Sequence, residues 1–476
     1  MSLVRAAQLC ALISIVLSGC QTAPWKKAGG SSPAVTAESS KEVVQAADIQ
    51  QPVSNVSFEE RLPNDEAEAL PLIDGELSLD WLLQEVQQQN PSLQAMVAAW
   101  QSASARYPQA VSLDDPMFMA MTAPASFSSP DVETAYVLQG SQKFPWFGKR
   151  AARGRVAQNE SNAAFHDVAD SRNRLDQATR GAYYAYYLAD KQLELNRENR
   201  SVIEQFRGTA QSRYRANQVT QQDVLQADLE LAQLERRTIE LERSKKISIA
   251  RINTLISKPP FAPLPSPPKA LNVIPIELDA EALQQLAAAQ RPDLAAIAAR
   301  VRAQEAEVTL AMKQYYPDLE VFGRYDSFWQ PADTQSDLRG QVGVNMNLPL
   351  YRNRLSAAVR EKIALVNKDR AEYEQRLLDI QFEVASAAEE LEESRQTLSL
   401  YGSRLIPAAE QNVAAARSNY DFSKTTFLDL AIAQRQLIEL REKREEAITI
   451  YYTRQAELTR AVGGTEPSAR GALKTQ

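Results

Sequence analysis

Side chains able to carry covalent or metal chemistry are scarce in this sequence. The 476-residue chain contains one histidine, His166, and two cysteines, Cys10 and Cys20. His166 lies in a polar run of helical character, where an isolated histidine is normally a solvated surface residue. No Walker loop, His-Glu-x-x-His pair or Ser/His/Asp set can be assembled from so few residues. The sequence therefore argues against an enzyme and predicts neither a cofactor nor a thiolate metal site.

Thioethers are the remaining soft donors. Three of the seven methionines, Met117, Met119 and Met121, alternate along one predicted strand. Thioether sulfur binds Cu(I) and similar soft ions. Alternating methionines on one strand face more often contact lipid or pack against neighbours. Packing is therefore the main interpretation of this row, and metal contact is the alternative.

Cys20 lies at the end of a predicted export signal. Arg5 is a short basic start, residues 9–17 form an apolar stretch too short to cross a membrane, and small residues precede the cysteine in Leu17-Ser18-Gly19-Cys20. This pattern resembles a bacterial lipoprotein signal, whose cysteine is acylated and becomes the new N-terminus. An ordinary signal peptide with a chance cysteine is the alternative. The resemblance implies a signal at 1–19, a lipidated Cys20 and, because Gln21 follows instead of Asp, sorting to the outer membrane.

Charge and composition restrict the partners. The formal net charge is −7 with 24% charged residues, which argues against a nucleic-acid partner because phosphate contacts need clustered Lys and Arg.

Residues 20–75 are rich in Ser, Ala, Pro, Gln and Glu, so they cannot bury enough apolar surface to offset the entropy of ordering. We expect a flexible tether there and a disordered tail at 464–476.

Landmarks that return in the same order indicate a tandem repeat. Four of them recur with slowly drifting spacing, which is hard to obtain by chance. They are Asn90-Pro91-Ser92-Leu93 with Arg291-Pro292-Asp293-Leu294, Pro116 with Pro317, Phe144-Pro145 with Leu348-Pro349, and Tyr214 and Asp223 with Tyr420 and Asp429. The sequence thus predicts repeats at 76–258 and 279–463, joined by a Pro-rich linker at 259–278.

Each half is predicted to hold a pair of strands. Apolar residues alternate with polar or small ones at 319–329 and again at 341–348. Strands of about ten residues with one apolar and one polar face fit an outer-membrane barrel, although a half-buried soluble sheet gives the same pattern. Four strands cannot close a barrel, and an open edge in lipid leaves backbone groups unsatisfied. A membrane barrel therefore needs several chains, and three chains would supply twelve strands.

The predicted helices are too long for a compact domain. From Gly148 to Arg215 no proline occurs, and at 1.5 Å per residue such a helix is about 100 Å long. A second long helix is predicted at 354–418, interrupted only by Pro407, and shorter helices are predicted at 78–112 and 279–315.

The return helices carry apolar residues at seven-residue spacing. In the second half these are Leu430, Leu437, Tyr451 and Leu458, with Arg444 as the single break, and in the first half Leu225, Ala232 and Ile239. Gln, Glu, Arg and Ala fill the faces between them. Narrow apolar seams with wide polar faces indicate helices packed side by side around water. A plain solvated coiled coil is the alternative.

Residues 76–463 resemble the TolC family of outer-membrane factors. The similarity rests on helix, strand pair and helical hairpin in that order, twice over, on the Phe-Pro-x-x-Gly-Lys corner at 144–149, and on Tyr-x(8)-Asp turns at 214–223 and 420–429. It implies a mainly α fold with a small membrane β part, in which three protomers share a twelve-stranded barrel continued by a helical tunnel. It also implies an exit duct for an efflux pump or a type I secretion system, with a periplasmic adaptor and an inner-membrane pump as partners.

The resemblance also suggests roles for residues at the hairpin ends. Tyr214, Asn217 and Ser423 would lie in the two turns of a tunnel tip, and Asp223, Asp429 and Tyr420 would form its gate. In a trimer, Asp429 would occur three times and make an acidic ring. From their chemistry alone, the two aspartates could equally be caps of the returning helices.

The 144–149 corner is expected to join a strand to a tunnel helix. Pro145 has no N–H for strand pairing, and Gly148 allows a sharp change of direction. Trp146 and Phe147 are expected at the membrane–water interface or in the packed collar below it. Lys149 and Arg150 are expected on the periplasmic side, and Pro349 marks the second joint. Together with Asp114-Asp115-Pro116, the corner most resembles the heavy-metal efflux subgroup.

A second class of function stays open from the sequence. Long helical hairpins could belong to a periplasmic coiled-coil scaffold or an adaptor. Because an adaptor has one hairpin flanked by soluble β domains, two hairpins that each follow a strand pair favour the duct. The expected location is the outer membrane of a Gram-negative bacterium, with a lipid anchor and the tunnel projecting into the periplasm.

Overall fold

Helices make up most of the part of the chain that the computed structural model describes, which is residues 76–122, 134–273, 279–328, 339–422 and 424–464. All of them belong to one unit, Ala69–Gln476. The elements, in chain order, are α1 (Leu79–Gln89), α2 (Pro91–Ser104), α3 (Arg106–Val111), β1 (Met117–Thr122), β2 (Thr134–Phe144), α4 (Lys149–Arg215), α5 (Gln221–Leu255), α6 (Ala280–Gln290), α7 (Pro292–Lys313), β3 (Leu319–Phe328), β4 (Arg339–Met346), α8 (Arg352–Leu400), a π segment (Tyr401–Leu405), α9 (Ile406–Asp421) and α10 (Phe427–Val462).

The strands form one antiparallel sheet in the order β1-β2-β3-β4. β2 and β3 belong to different halves of the chain and pair along most of their length, from Tyr136 opposite Ser327 to Phe144 opposite Leu319. β1 pairs only with β2, and β4 only with β3, within the described residues. The sheet therefore has two free edges, one from each half.

Two helical hairpins extend from the sheet. α4 packs against its return helix α5 and also against α7 and α10, while α10 packs against α8 and α9. α4 has 67 residues, which corresponds to about 100 Å, so the predicted long helix is confirmed. The seam residues of α10, namely Leu430, Leu437, Tyr451 and Leu458, are buried. Among the described helices, none combines the length and the apolar composition needed to cross a bilayer.

The shorter helices differ from the prediction because each is broken near a proline. The expected helix 78–112 is three helices, and 279–315 is two. Asn90 and Arg291 precede prolines and adopt extended backbone, with ψ of 120° and 122°, since proline disfavours the helical region for the residue before it. The side chain of Asn90 then caps α2 by accepting a hydrogen bond from the Ser92 amide at 3.0 Å.

The interruption near Pro407 also differs from the prediction. Instead of a break at the proline, the helix changes to the π segment at Tyr401–Leu405, and α9 begins at Ile406 with Pro407 in its first turn. Leu405 and Ile406 keep right-handed helical backbone, so the chain stays helical and the π segment ends just before Pro407, the residue that lacks an N–H. The sequence predicted the place of the irregularity to within a few residues, but not its form.

The seam of the first return helix is not buried by the chain itself. Leu225, Ala232 and Ile239 on α5 are all exposed, and Ile239 keeps 67% of its surface in contact with solvent. Within the described residues of one chain, this seam therefore does not pack as the seam on α10 does. Side chains facing the opposite side of α5, such as Ala227 and Leu241, are the buried ones.

Candidate functional site

The first hairpin reverses within the turn 216–220. Asn217 has a φ of +56°, the left-handed region that asparagine tolerates better than other non-glycine residues. Two backbone bonds close the end of α4, from the Asn217 amide to the Tyr214 carbonyl and from the Gln218 amide to the Arg213 carbonyl, both 2.9 Å. The turn residue expected from the sequence thus lies where the chain needs a left-handed conformation.

The second hairpin reverses between Asp421 and Phe427. Ser423, the expected turn residue, lies outside the described residues. The Lys424 amide donates to the Asn419 carbonyl at 2.8 Å, the same bonding pattern as in the first turn. At the start of α10, the Thr426 amide donates to Asp429 Oδ2 at 3.1 Å and the Asp429 amide donates to Thr426 Oγ1 at 3.4 Å. Asp429 is exposed and completes a capping box, one of the two roles its chemistry allowed.

Arg213 joins the two turns. Its Nη1 donates to the Tyr420 carbonyl at 2.7 Å, and its guanidinium lies 4.8 Å from the centre of the Tyr420 ring. Tyr420 is buried and meets Phe427 edge to face at 6.1 Å. Tyr420 could be selected from the sequence, but Arg213 could not, because nothing in the sequence shows which residue of the other hairpin faces the tyrosine. Tyr214, also selected, is exposed.

Asp223 contributes charge to the same turn region. Burial raises its pKa above the ordinary value, although a hydrogen bond with Thr220 and the charge of Arg213 oppose the rise. The pKa of Tyr420 is also raised, first by burial and then by the charge of Asp223, against the influence of Arg213. Asp223, Arg213 and Tyr420 are therefore electrostatically coupled across the two hairpins.

Buried polar residues occupy the space between the hairpins above the turns. Asn196 on α4 donates to the Leu234 carbonyl at 3.1 Å and to Thr238 Oγ1 at 2.8 Å, both on α5. Glu230 is buried and forms an ion pair with Arg435 of α10. Asn196, Glu230 and Arg435 line an open recess of about 410 Å³. A polar interior of this kind agrees with helices packed around water.

The joint between β2 and α4 contains a buried charge. Gly148 has a φ of +82°, a conformation that favours glycine. The next residue, Lys149, is 0% exposed. The sequence placed it on the periplasmic side and did not predict this burial. Its Nζ donates to Asp318 Oδ1 at 2.8 Å and to the Tyr316 carbonyl at 2.9 Å. The ion pair connects the joint of the first half to the start of β3 in the second.

Asp318 holds several groups of the joint at once. Its Oδ1 accepts from the Trp146 amide at 2.9 Å, and the Trp146 ring stacks on Tyr316 with centroids 5.7 Å apart. Burial alone would raise the pKa of Asp318, but the hydrogen bonds from Lys149 and Trp146 and the lysine charge hold it below its ordinary value. Asp318 was not among the residues selected from the sequence.

The remaining joint residues are at least partly exposed. Pro145 and the exposed Phe147 line an apolar recess of about 710 Å³ together with Tyr107 and Val321. Pro349 lies between β4 and α8, where the chain turns without a positive φ. Here the Asn347 side chain accepts a hydrogen bond from the Asp318 amide, so both joints meet at Asp318.

The methionine row lies entirely on β1. Met117, Met119 and Met121 are exposed to 72%, 41% and 54%. Among the described residues there is no group of three or more His, Cys, Asp or Glu side chains suited to a metal ion.

Two stretches of the chain, residues 82–257 and 283–464, match the sequence model of the outer membrane efflux protein family. Together they cover most of the chain. The chain belongs to the outer membrane efflux protein family. Its efflux-channel relatives agree with the expectation from sequence that the protein is not an enzyme.

Individual relatives support the same family. The cobalt-zinc-cadmium resistance protein CzcC of Cupriavidus metallidurans is 25% identical over 300 residues, which are 62% of this chain and 69% of that protein. Among solved structures, CusC matches with a TM-score of 0.70 and 16% identity, covering 82% of this chain and 93% of that one. VceC of Vibrio cholerae matches with a TM-score of 0.68 and 21% identity, covering 81% and 96%. The structures establish the fold of this outer membrane efflux protein, and the family match establishes its membership.

Proposed function

We propose that this outer membrane efflux protein is the exit duct of a tripartite efflux system, formed by three copies of the chain. The observation that carries the proposal is the four-stranded sheet with one free edge from each half, from which two long hairpins extend. Unpaired strand edges in lipid leave N–H and C=O groups without partners. Three copies pairing β4 of one with β1 of the next would close a twelve-stranded barrel.

The hairpins supply the periplasmic part of the proposed duct. A helix of about 100 Å reaches far beyond the thickness of a bilayer, and the polar residues between the hairpins suit a water-filled tunnel. In this arrangement the two halves are tandem repeats, each a strand pair and a hairpin. The turns at 216–220 and 422–426 would form the tip, where a periplasmic adaptor and an inner-membrane pump connect. Cys20 would carry the lipid anchor, and a Cys20→Ser protein would then lose it.

The contacts at the two turns support a gate at the tip. The bond from Arg213 to the Tyr420 carbonyl and the guanidinium–ring contact would hold the second turn against the first while the duct is unassembled. Asp429 would add an acidic ring, because three copies place three carboxylates at the same level. Its capping box uses Oδ2, which leaves Oδ1 available to face the channel or a cation.

The transported class is proposed to include metal ions. The relative CzcC is described as a cobalt-zinc-cadmium resistance protein, and the Phe-Pro-x-x-Gly-Lys corner resembles the heavy-metal subgroup. Two alternative functions are a duct for type I secretion, which would share the same architecture, and a periplasmic scaffold or adaptor, which belongs to a different class of function. Deleting the gene and then measuring tolerance to metals and dyes, and the release of secreted proteins, would distinguish these substrate classes.

Planar-bilayer recording tests the duct and its gate. The purified full-length protein should run as a trimer in detergent and conduct K⁺ weakly. Arg213→Ala removes contacts worth about 1–2 kcal/mol, so the open population should rise roughly fivefold to thirtyfold. Arg215→Ala, which removes the same charge from an exposed neighbour on the same turn, should conduct like the wild type.

Asp429→Asn examines the acidic ring in the same recordings. Asparagine keeps an oxygen for the cap but removes the charge, so block by divalent cations should weaken while the trimer stays folded. Unchanged block would reject the ring and leave the capping role. A soluble monomer that never conducts would reject the duct in favour of the scaffold.

A further inference from the structure

The strand register sorts the sheet residues into two faces. Directly paired residues of antiparallel strands lie on the same face. Met117, Met119 and Met121 pair with Ser141, Gln139 and Val137, which pair in turn with Phe322, Arg324 and Asp326. We call this the methionine face; Glu320, Gln341 and Asn345 also belong to it. The opposite, apolar face carries Phe118, Ala120, Tyr136, Leu138, Val321, Tyr325, Val342, Val344 and Met346, with Thr122 and Gln142 as polar members.

The two faces also differ in burial. On the methionine face, Val137 and Asp326 are only 5% and 6% exposed. Arg324 donates to Asp326 at 2.9 Å on the same face. No described residue of the apolar face is buried to this degree. The methionine face thus carries most of the polar side chains of the sheet, whereas the opposite face carries the exposed apolar ones.

This placement changes the interpretation of the methionine row. In a closed barrel of this kind the polar face borders the water inside and the apolar face borders lipid. The methionines therefore do not lie on the lipid side, and their exposure leaves packing within the chain as a poor explanation. An apolar side chain gains nothing from facing water. A thioether sulfur that faces water can instead bind a soft metal ion that passes through the channel.

The spacing of the row suits shared coordination. Alternate residues of a strand are about 6.6–6.8 Å apart, and methionine has three rotatable bonds, so neighbouring sulfurs can converge on one ion. Below the row, an open recess of about 610 Å³ is lined by Asp114, Asp115, Met117 and Glu320, with Lys143 as the basic member. Its excess of carboxylates would concentrate cations at the foot of the row.

We propose that Met117, Met119 and Met121 form a soft-metal contact row on the wall of the channel, taking Cu(I) or Ag(I) from the acidic recess beneath it. The proposal rests on the proposed function, because the methionine face is a channel wall only when three sheets close. Thioethers select Cu(I) over harder ions such as Mg²⁺ or Mn²⁺. The row is thus a transient contact for soft ions and not a general cation site.

Silver block of the K⁺ current tests the row. Full-length protein is recorded in planar bilayers in potassium nitrate, which avoids precipitation of silver chloride. Ag(I) should reduce the wild-type conductance reversibly. The Met117→Leu, Met119→Leu, Met121→Leu triple variant should need at least about tenfold more Ag(I) for the same reduction, a loss of about 1.4 kcal/mol. Normal K⁺ conductance of the triple variant would show that it folds and inserts into the bilayer.

A matched control lies on α7. Met312→Leu removes an exposed methionine that is not part of the lining of this recess, and it should leave silver sensitivity as in the wild type. Mg²⁺ should affect wild type and triple variant alike. Equal silver sensitivity of wild type and triple variant, with normal K⁺ conductance in both, would overturn the row and leave the duct standing. Absence of K⁺ conductance in the wild type would overturn both.

Discussion

At the residue scale, the Lys149–Asp318 pair is the contact whose loss should weaken the joint most. Lys149→Met removes the ammonium but keeps most of the buried chain length, and it leaves the Asp318 carboxylate without its charge partner. Breaking a buried ion pair from one side costs about 3–5 kcal/mol. The midpoint of guanidinium unfolding, followed by tryptophan fluorescence, should fall accordingly. Lys246→Met removes the same charge from an exposed lysine on α5 and should change stability by about 0.5 kcal/mol or less.

The sign of the pH dependence follows from the lowered pKa of Asp318. Its folded-state pKa lies below the ordinary 3.8, so the pair stabilises the fold at pH values above 3.8. This stabilisation is lost as the pH falls below 3.8 toward the folded pKa. The wild type should therefore lose more stability between pH 5 and pH 3 than Lys149→Met does. Parallel pH profiles for the two proteins would contradict the proposed role of the ion pair.

At the element scale, the two hairpins differ in how they are fixed above the tip. α4 runs unbroken past Asn196, whose side chain bonds to two positions on α5. The matching helix of the second half contains the π segment Tyr401–Leu405. Asn196→Ala should leave the Leu234 carbonyl and Thr238 less satisfied, at about 1–3 kcal/mol. Hydrogen exchange of α5 around 234–238 should then become at least about fivefold faster, whereas Gln205→Ala, at an exposed position of α4, should leave it unchanged.

The elements also show how far sequence reasoning reaches. Alternation predicted β3 and β4, and the absence of proline predicted α4, because both signals are local. Asn217 could be selected because only a few residue types suit a left-handed turn. The Lys149–Asp318 pair spans 169 positions, and Arg213 meets Tyr420 across 207. Local patterns do not encode such contacts, so the sequence identified one partner of each cross-half contact at most. Likewise, the face of the sheet on which the methionine row lies could be assigned only from the strand register.

At the scale of the whole molecule, the exposed seam of α5 is the strongest indication of a neighbouring copy. Leu225, Leu229, Ala232 and Ile239 form an apolar stripe that no described part of the chain covers, and a trimeric tunnel would bury it between protomers. Burying an isoleucine is worth about 1.5–3 kcal/mol, and a charge placed there costs more. Ile239→Glu should therefore shift the detergent-solubilised protein from trimer toward monomer in light scattering, with helix content preserved by circular dichroism. Ser244→Glu adds the same charge beside the stripe on α5 and should remain trimeric. If Ile239→Glu stayed fully trimeric, the stripe would lie outside the interface, and the trimer would have to be held by its strand edges alone.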